Sequence, residues 1–173
     1  TESPTDFKTI VIKLDSSDGS IIWKRLIETR LLAGFNLALT SNDDIIISSI
    51  YENPASLLSG DNYFFKVNYV DGSIIVDDKI LTNVDPSDST RDTTELIIDN
   101  NDNIIITGGY YGPLDADLSS GVYSIGTSGN MPQTYMIKYN SDFELVWSIT
   151  FNSTTPTVGN SLAYDSINDL IYF

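Results

Sequence analysis

The chain has no cysteine and no histidine, which excludes every chemistry that needs a thiolate or an imidazole. Disulfides and thiolate-held metals are excluded with them. What remains is oxygen chemistry and a few lysines. Three acidic clusters stand out: "DSSDG" at 15–19, "NDD" at 42–44 and "DNNDN" at 99–103. Calcium takes six to eight oxygen ligands, so loops of this kind could contribute to a site. None is followed by the ordered ligand series that ends in a bidentate glutamate. The same residues also read as Asx turns, and that reading explains the asparagines and glycines as well as the aspartates. No metal site is therefore expected. Lys13, Lys66 and Lys138 recur at one place in a repeated phrase. A catalytic lysine needs a desolvated pocket of its own. Three equivalent copies instead suggest stems packed between layers, with each ammonium reaching a carboxylate or a carbonyl. No serine sits in a nucleophile-elbow pattern, and no pair of carboxylates is singled out as acid and base, although their number leaves a glycosidase open. No catalytic residue and no cofactor is expected.

Charge and composition narrow the partners. Nine basic residues face 24 acidic ones, for a net charge of −15. Nucleic acid is repelled by such a chain, and so are anionic membrane surfaces. No apolar run approaches the ~18 residues of a membrane-spanning helix, so no membrane insertion is expected. No signal peptide is visible, and an opening at Thr1 suits a processed or excerpted chain. Asn152-Ser153-Thr154 is an N-glycosylation acceptor pattern in an exposed-looking run, "NSTTPT".

The elements that position these residues come from an internal repeat. "DGSII" occurs at Asp18 and again at Asp71, inside the longer phrases "FKTIVIKLDSSDGSIIWKRLI" and "NYFFKVNYVDGSIIVDDKIL". A looser third copy is "TYMIKYNSDFELVWSITF", with Trp23, Val76 and Trp147 in register. Between them "NDDIIISSIY" matches "NDNIIITGGY", and "NDLIYF" begins another. Each run is short, rich in β-branched and aromatic residues, and bounded by Asp, Asn, Gly and Ser, which is a strand signature. The strand types follow the order C-D, A-B-C-D, A-B-C-D, A-B. Asp-Gly closes the C–D hairpin in the first two copies. The third has Asn140-Ser141-Asp142 without glycine, so its turn should differ in type.

Repeated four-stranded antiparallel units with apolar rather than cleanly alternating strands predict an all-β chain built from β-propeller blades. A half blade is expected at 7–28, full blades at 35–81 and 95–151, and a half blade at 161–173, all within one domain. "YMIKYNSDFELVWSITF" followed by "GNSLAYDSINDLIYF" resembles β-propeller repeat proteins of secreted and surface type. "KLDSSDGSIIWK" is also similar to pyrroloquinoline-quinone-type repeats. Blade repetition, acidity, the lack of Cys and His, and the many Ser, Thr and Asn residues lead to the expectation of an extracellular or cell-surface scaffold with no enzymatic role, which binds a protein or glycan or builds an assembly. A fragment of a quinone-dependent or carbohydrate-active propeller enzyme is the alternative. Val76 in place of the aromatic, and the missing third glycine, depart from the pattern.

Two full and two half blades do not close a ring, since propellers have about four or more. Either the polypeptide continues at both ends or copies associate. The first is the expectation, and an intact mass near 19 kDa would exclude it.

Strand direction places A–B and C–D turns on one face and the longer connections on the other. The longest, 111–133, interrupts the second full blade and carries Leu114, Leu118, Val122, Tyr123, Ile125 and Met131. Loops of this length are often functional. Tyr110, Tyr111, Leu114, Leu118, Tyr123 and Met131 are therefore expected to contact a partner, and deletion of 114–129 is expected to leave the sheets folded.

Overall fold

The computed structural model describes residues 9–27, 36–52, 60–85, 90–127 and 131–173. They form strands, turns and irregular segments with no helix. Thr9–Leu14 (β1) and Ile21–Ile27 (β2) make a hairpin. Asn36–Leu39 (β3), Ile45–Glu52 (β4), Gly60–Val67 (β5) and Ile74–Asn83 (β6) follow as an antiparallel meander. Thr90–Ile98 (β7) and Ile104–Tyr110 (β8) begin the next sheet. Leu114–Asp115 (β9) and Ser124–Ile125 (β10) lie in the long connection, and Gln133–Tyr139 (β11) and Leu145–Phe151 (β12) complete that sheet. Ala163–Asp165 (β13) and Leu170–Tyr172 (β14) form a last hairpin.

The strands group into four sheets: β1-β2, β10-β9-β6-β5-β4-β3, β12-β11-β8-β7 and β13-β14. The expected A-B-C-D order is present in both central sheets. Side chains alternate between faces with period two, so each central strand serves two cores. In β4, Ile46 enters the core shared with the four-stranded sheet, while Ile45 and Ile47 enter the core under the β1–β2 hairpin. In β11, Tyr135, Ile137 and Tyr139 pack back toward the six-stranded sheet, and Met136 packs forward under the β13–β14 hairpin. The four sheets are thus stacked face to face in chain order. Strands covered on both sides explain the near-continuous apolar runs.

The turns repeat as closely as the strands. Asp15 N donates to Ser20 O at 2.8 Å and Gly19 N to Asp15 O at 2.9 Å. Asn68, Ser73 and Gly72 repeat both bonds at the same lengths. Gly19 and Gly72 have φ of 75° and 71°, a left-handed conformation that costs other residues ~1–2 kcal/mol. The third C–D turn differs as expected. Asn140 N bonds Glu144 O and Phe143 N bonds Asn140 O, one residue tighter. That is the pattern of the two A–B turns at 40–44 and 99–103, where Asp43 and Asp102 sit at φ 64° and 59°. Phe143 occupies the same left-handed position at φ 63°. Its ring is 4% exposed and belongs to the main core, and that burial offsets the backbone strain.

The recurring lysines close these turns onto the strands. Lys138 Nζ lies 2.6 Å from Asp99 Oδ2, and Lys66 Nζ lies 3.4 Å from Asp44 Oδ2. Lys13 Nζ donates to Tyr69 O at 3.3 Å and sits 3.1 Å above the Tyr69 ring. Trp23 Nε1 donates to the same carbonyl at 2.9 Å. The position in register with Trp23 points toward the following sheet each time: Trp23 toward β5–β6, Val76 toward β11, and Trp147 toward β13–β14.

Candidate interaction site

Residues 111–127 do not project from the end of the sheet. Leu114 and Asp115 pair with Asn83 and Thr82 at the outer edge of β6, and β10 pairs with β9. The connection thereby adds two strands to the sheet that precedes its own. Leu114, Ala116 and Leu118 alternate with Asp115 and Asp117, and all three apolar side chains enter the main core together with Ile125. The end of the β6 edge, at Thr82 and Asn83, is covered as a result.

Asp115 holds the segment in shape. Its Oδ1 accepts from Asp117 N at 3.0 Å and from Tyr123 N at 2.9 Å, and Ala116 N donates to Tyr123 O at 2.9 Å. Val84 N donates to Pro113 O at 2.8 Å. Gly126, at φ 79°, lies over the Tyr110 ring, so a Cβ there would fall 2.5 Å from Tyr110 Cε2. Tyr110 is fully buried, and its hydroxyl donates to Asn152 Oδ1 at 2.9 Å. Burial raises its phenol above the ordinary value. Gly126→Ala adds left-handed strain of ~1–2 kcal/mol to a clash that only a backbone shift relieves. It should cost about 2 kcal/mol in urea unfolding, and a cost below ~0.5 kcal/mol would mean that this backbone does not rest on Tyr110.

The six residues expected at a partner surface divide accordingly. Tyr110, Leu114 and Leu118 are 0%, 0% and 5% exposed, which corrects the expectation for these three. Their apolar surface is spent on the core, and an anchor must be open in the free protein. Tyr111 is half-buried. Tyr123 and Met131 are 53% and 45% exposed, and Val122 beside Tyr123 is 71% exposed. Deletion of 114–129 would now open the main core rather than spare it. Of the loops at 52–62 and 83–92, expected on the same face, residues 53–59 and 86–89 fall outside the described residues.

The exposed tip borders a cleft of about 500 Å³ lined by Lys79, Asp117, Ser119, Tyr123 and residues 142–145. Hydrogen bonds from Ser119 hold the Asp117 carboxyl below its ordinary value. Tyr139 lies in the adjoining core, and burial pushes its phenol well above the ordinary range. Its hydroxyl has no partner among the described residues. The cleft combines one ammonium, several carboxylates and one exposed phenol ring. That mixture suits hydrogen-bonded recognition of a polar ligand or peptide.

The acidic clusters are engaged in turns. Asp15 Oδ1 accepts from Ser17 N and Oγ at 2.8 and 2.5 Å, and Asp18 and Asp71 accept from Ser20 N and Ser73 N at 2.8 and 2.9 Å. These bonds lower all three carboxyls. Among the described residues no three acidic side chains converge closely enough to hold a metal ion. Asn152 is exposed and uses Oδ1 toward Tyr110.

No protein-family model matches this chain, and no curated protein is similar enough to count as a relative. The sequence missed the role of Asp115 and the pairing of β9 with β6. The spacing of Leu114, Ala116 and Leu118 was the available signal.

Proposed function

We propose that these residues are part of a β-propeller that acts as a scaffold outside the cell or on its surface and presents the tip of the 114–127 segment to a protein or glycan. The propeller reading is supported by the stacking: two A-B-C-D sheets whose inner strands are covered on both faces, with Trp23, Val76 and Trp147 all directed toward the next sheet. The binding reading rests on one observation. Val122 and Tyr123 are exposed on a segment whose other apolar residues are locked into the core. A rigid platform with an open aromatic ring loses little conformational entropy on binding, which is what hot spots require. A glycan at Asn152 belongs to the same reading, and intact-mass heterogeneity confined to that peptide would register it.

The test is binding of labelled protein to a glycan array and to intact cells. Tyr123→Ala should weaken binding by about 30-fold, the effect of losing a ~2 kcal/mol anchor, at unchanged melting temperature. Binding that is indifferent to Tyr123→Ala and Val122→Ser would overturn the assignment of the tip. Turnover of glycosides, or quinone-dependent dye reduction, would favour the enzyme alternative.

A further inference from the structure

The junction between the β1–β2 hairpin and the six-stranded sheet holds a cleft of about 510 Å³, a size suited to a small organic molecule. Trp23 and Ile27 of β2 pack into the core of this junction. Strand alternation puts Arg25 between them on the same face. Ile74 and Ile80 of β6 pack into that core from the opposite side, and Asp77 lies between them in sequence. Arg25 and Asp77 both line the cleft, over a floor that includes the buried rings of Tyr63 and Phe65. An arginine and an aspartate thus stand on opposite walls of one apolar junction, and no ion pair joins them.

The arginine is unusual for this chain. With 24 acidic residues against nine basic ones, a cation readily finds an acceptor. Lys66, Lys79 and Lys138 lie against carboxylates, and Lys13 donates to a carbonyl. Among the described residues neither Arg25 nor its neighbour Lys24, which also lines the cleft, has an ion pair or a side-chain hydrogen bond. The Asp71 carboxyl, lowered chiefly by its hydrogen bonds from Ser73, also feels Arg25, but its Oδ1 already accepts from Ser73 N at 2.9 Å. A guanidinium fork matches two oxygens of one carboxylate. Here the fork is exposed and that partner is missing from the described residues.

We infer that this cleft binds a small hydroxylated carboxylate, of which a sugar acid is the simplest, with its carboxylate on Arg25 and a hydroxyl donated to Asp77. Two cations against one carboxylate favour a ligand with a single negative charge. A plain anion would leave Asp77 unserved beside a like charge, and a neutral sugar would leave Arg25 unserved. The C–H face of a pyranose suits a floor of ring edges and isoleucine. The net charge of −15 works against a long polyanion, so the ligand is one acidic unit rather than a charged polymer. This cleft lies at a different junction from the Tyr123 tip and does not depend on the binding role proposed for it.

The test is a titration of the ¹⁵N-labelled 173-residue chain with sodium glucuronate at constant pH and ionic strength, followed by amide chemical shifts. A ligand of about a dozen non-hydrogen atoms and ordinary efficiency should bind with a Kd of about 1 mM. The shifts should cluster on residues 24–27, 63–65 and 74–77, with glucose and acetate each at least about tenfold weaker. Arg25→Gln should weaken glucuronate by about tenfold or more, and Asp77→Asn by a smaller factor, at unchanged spectral dispersion. Tyr123→Ala should change nothing. Acetate that binds as well as glucuronate would reduce the cleft to a general anion site and overturn the inference. Equal binding of glucose would remove the role of Arg25 and overturn it too. So would a preference for leucine, whose ammonium would then be the group on Asp77. Absence of saturable shifts up to about 20 mM glucuronate, well above the expected Kd, would remove the site altogether.

Discussion

Replacing Asp99 by alanine should lower the unfolding free energy by about 3–5 kcal/mol, the cost of breaking a buried pair and leaving one charge behind. The Asp99 side chain is 1% exposed and its carboxylate is fully used. Oδ2 meets Lys138 Nζ at 2.6 Å, and Oδ1 accepts from Asn101 N and Asn103 N at 2.8 and 2.9 Å. Alanine removes the acceptor for two turn amides and strands an ammonium that is itself only 17% exposed. Asp99→Asn keeps an acceptor for the amides but not the charge, so it should cost less. The Lys66–Asp44 pair is longer and more open, and its loss should cost no more than ~1 kcal/mol.

The same residue sets an acid limit. Burial alone would raise the Asp99 carboxyl, but hydrogen bonds from Lys138, Asn103 and Asn101 outweigh it and hold the group below 3.8. The folded pKa is therefore depressed relative to the unfolded chain. The stabilisation is present in full above the unfolded value and disappears as pH falls through the folded one. Urea unfolding of wild type and Asp99→Asn should differ at neutral pH, and the difference should shrink as pH falls below the ordinary carboxylate range. A difference that stays constant through the acid range would mean that the carboxylate charge contributes nothing.

Strand order and turns were legible because they are local. Asp-Gly between two apolar runs dictates a hairpin whatever surrounds it, and the third copy's missing glycine correctly announced a different turn. The position of the 114–127 segment was not legible. Its pairing depends on the free edge of β6, which lies more than thirty residues earlier in the chain and is brought alongside only by the stacking. Composition could say that Leu114 and Leu118 were apolar, not whether core or partner would cover them. Tyr110 was a different failure. It shares the parity of Ile104 and Ile106 on β8, and strict alternation placed it in the core before any loop was considered.

The two departures from the repeat, Val76 for tryptophan and Phe143 for glycine, fit one another, and a double-mutant cycle should reveal it. In the first junction a large Trp23 projects forward and meets a C–D turn that carries Gly72 in the left-handed position. In the second, a small Val76 projects forward and the left-handed position carries Phe143, whose ring fills the same core from the opposite side. Val76 lines one cleft with Ser141 and Asp142 of that turn. The volume is supplied once per junction, by the strand in one case and by the turn in the other. Val76→Trp supplies it twice and should cost about 2 kcal/mol through overpacking. Phe143→Gly removes a buried ring, worth ~3–5 kcal/mol. It also releases left-handed strain of ~1–2 kcal/mol, for a net loss of about 2 kcal/mol. Together they rebuild the first junction in place of the second. The double variant should lose only about 1 kcal/mol, because the turn at 140–144 is one residue shorter than that at 68–73 and seats the indole less well. The coupling is then about 3 kcal/mol in favour of the pair, read from urea unfolding of the four proteins followed by circular dichroism. Additive losses of about 4 kcal/mol would show that the two substitutions do not share a site.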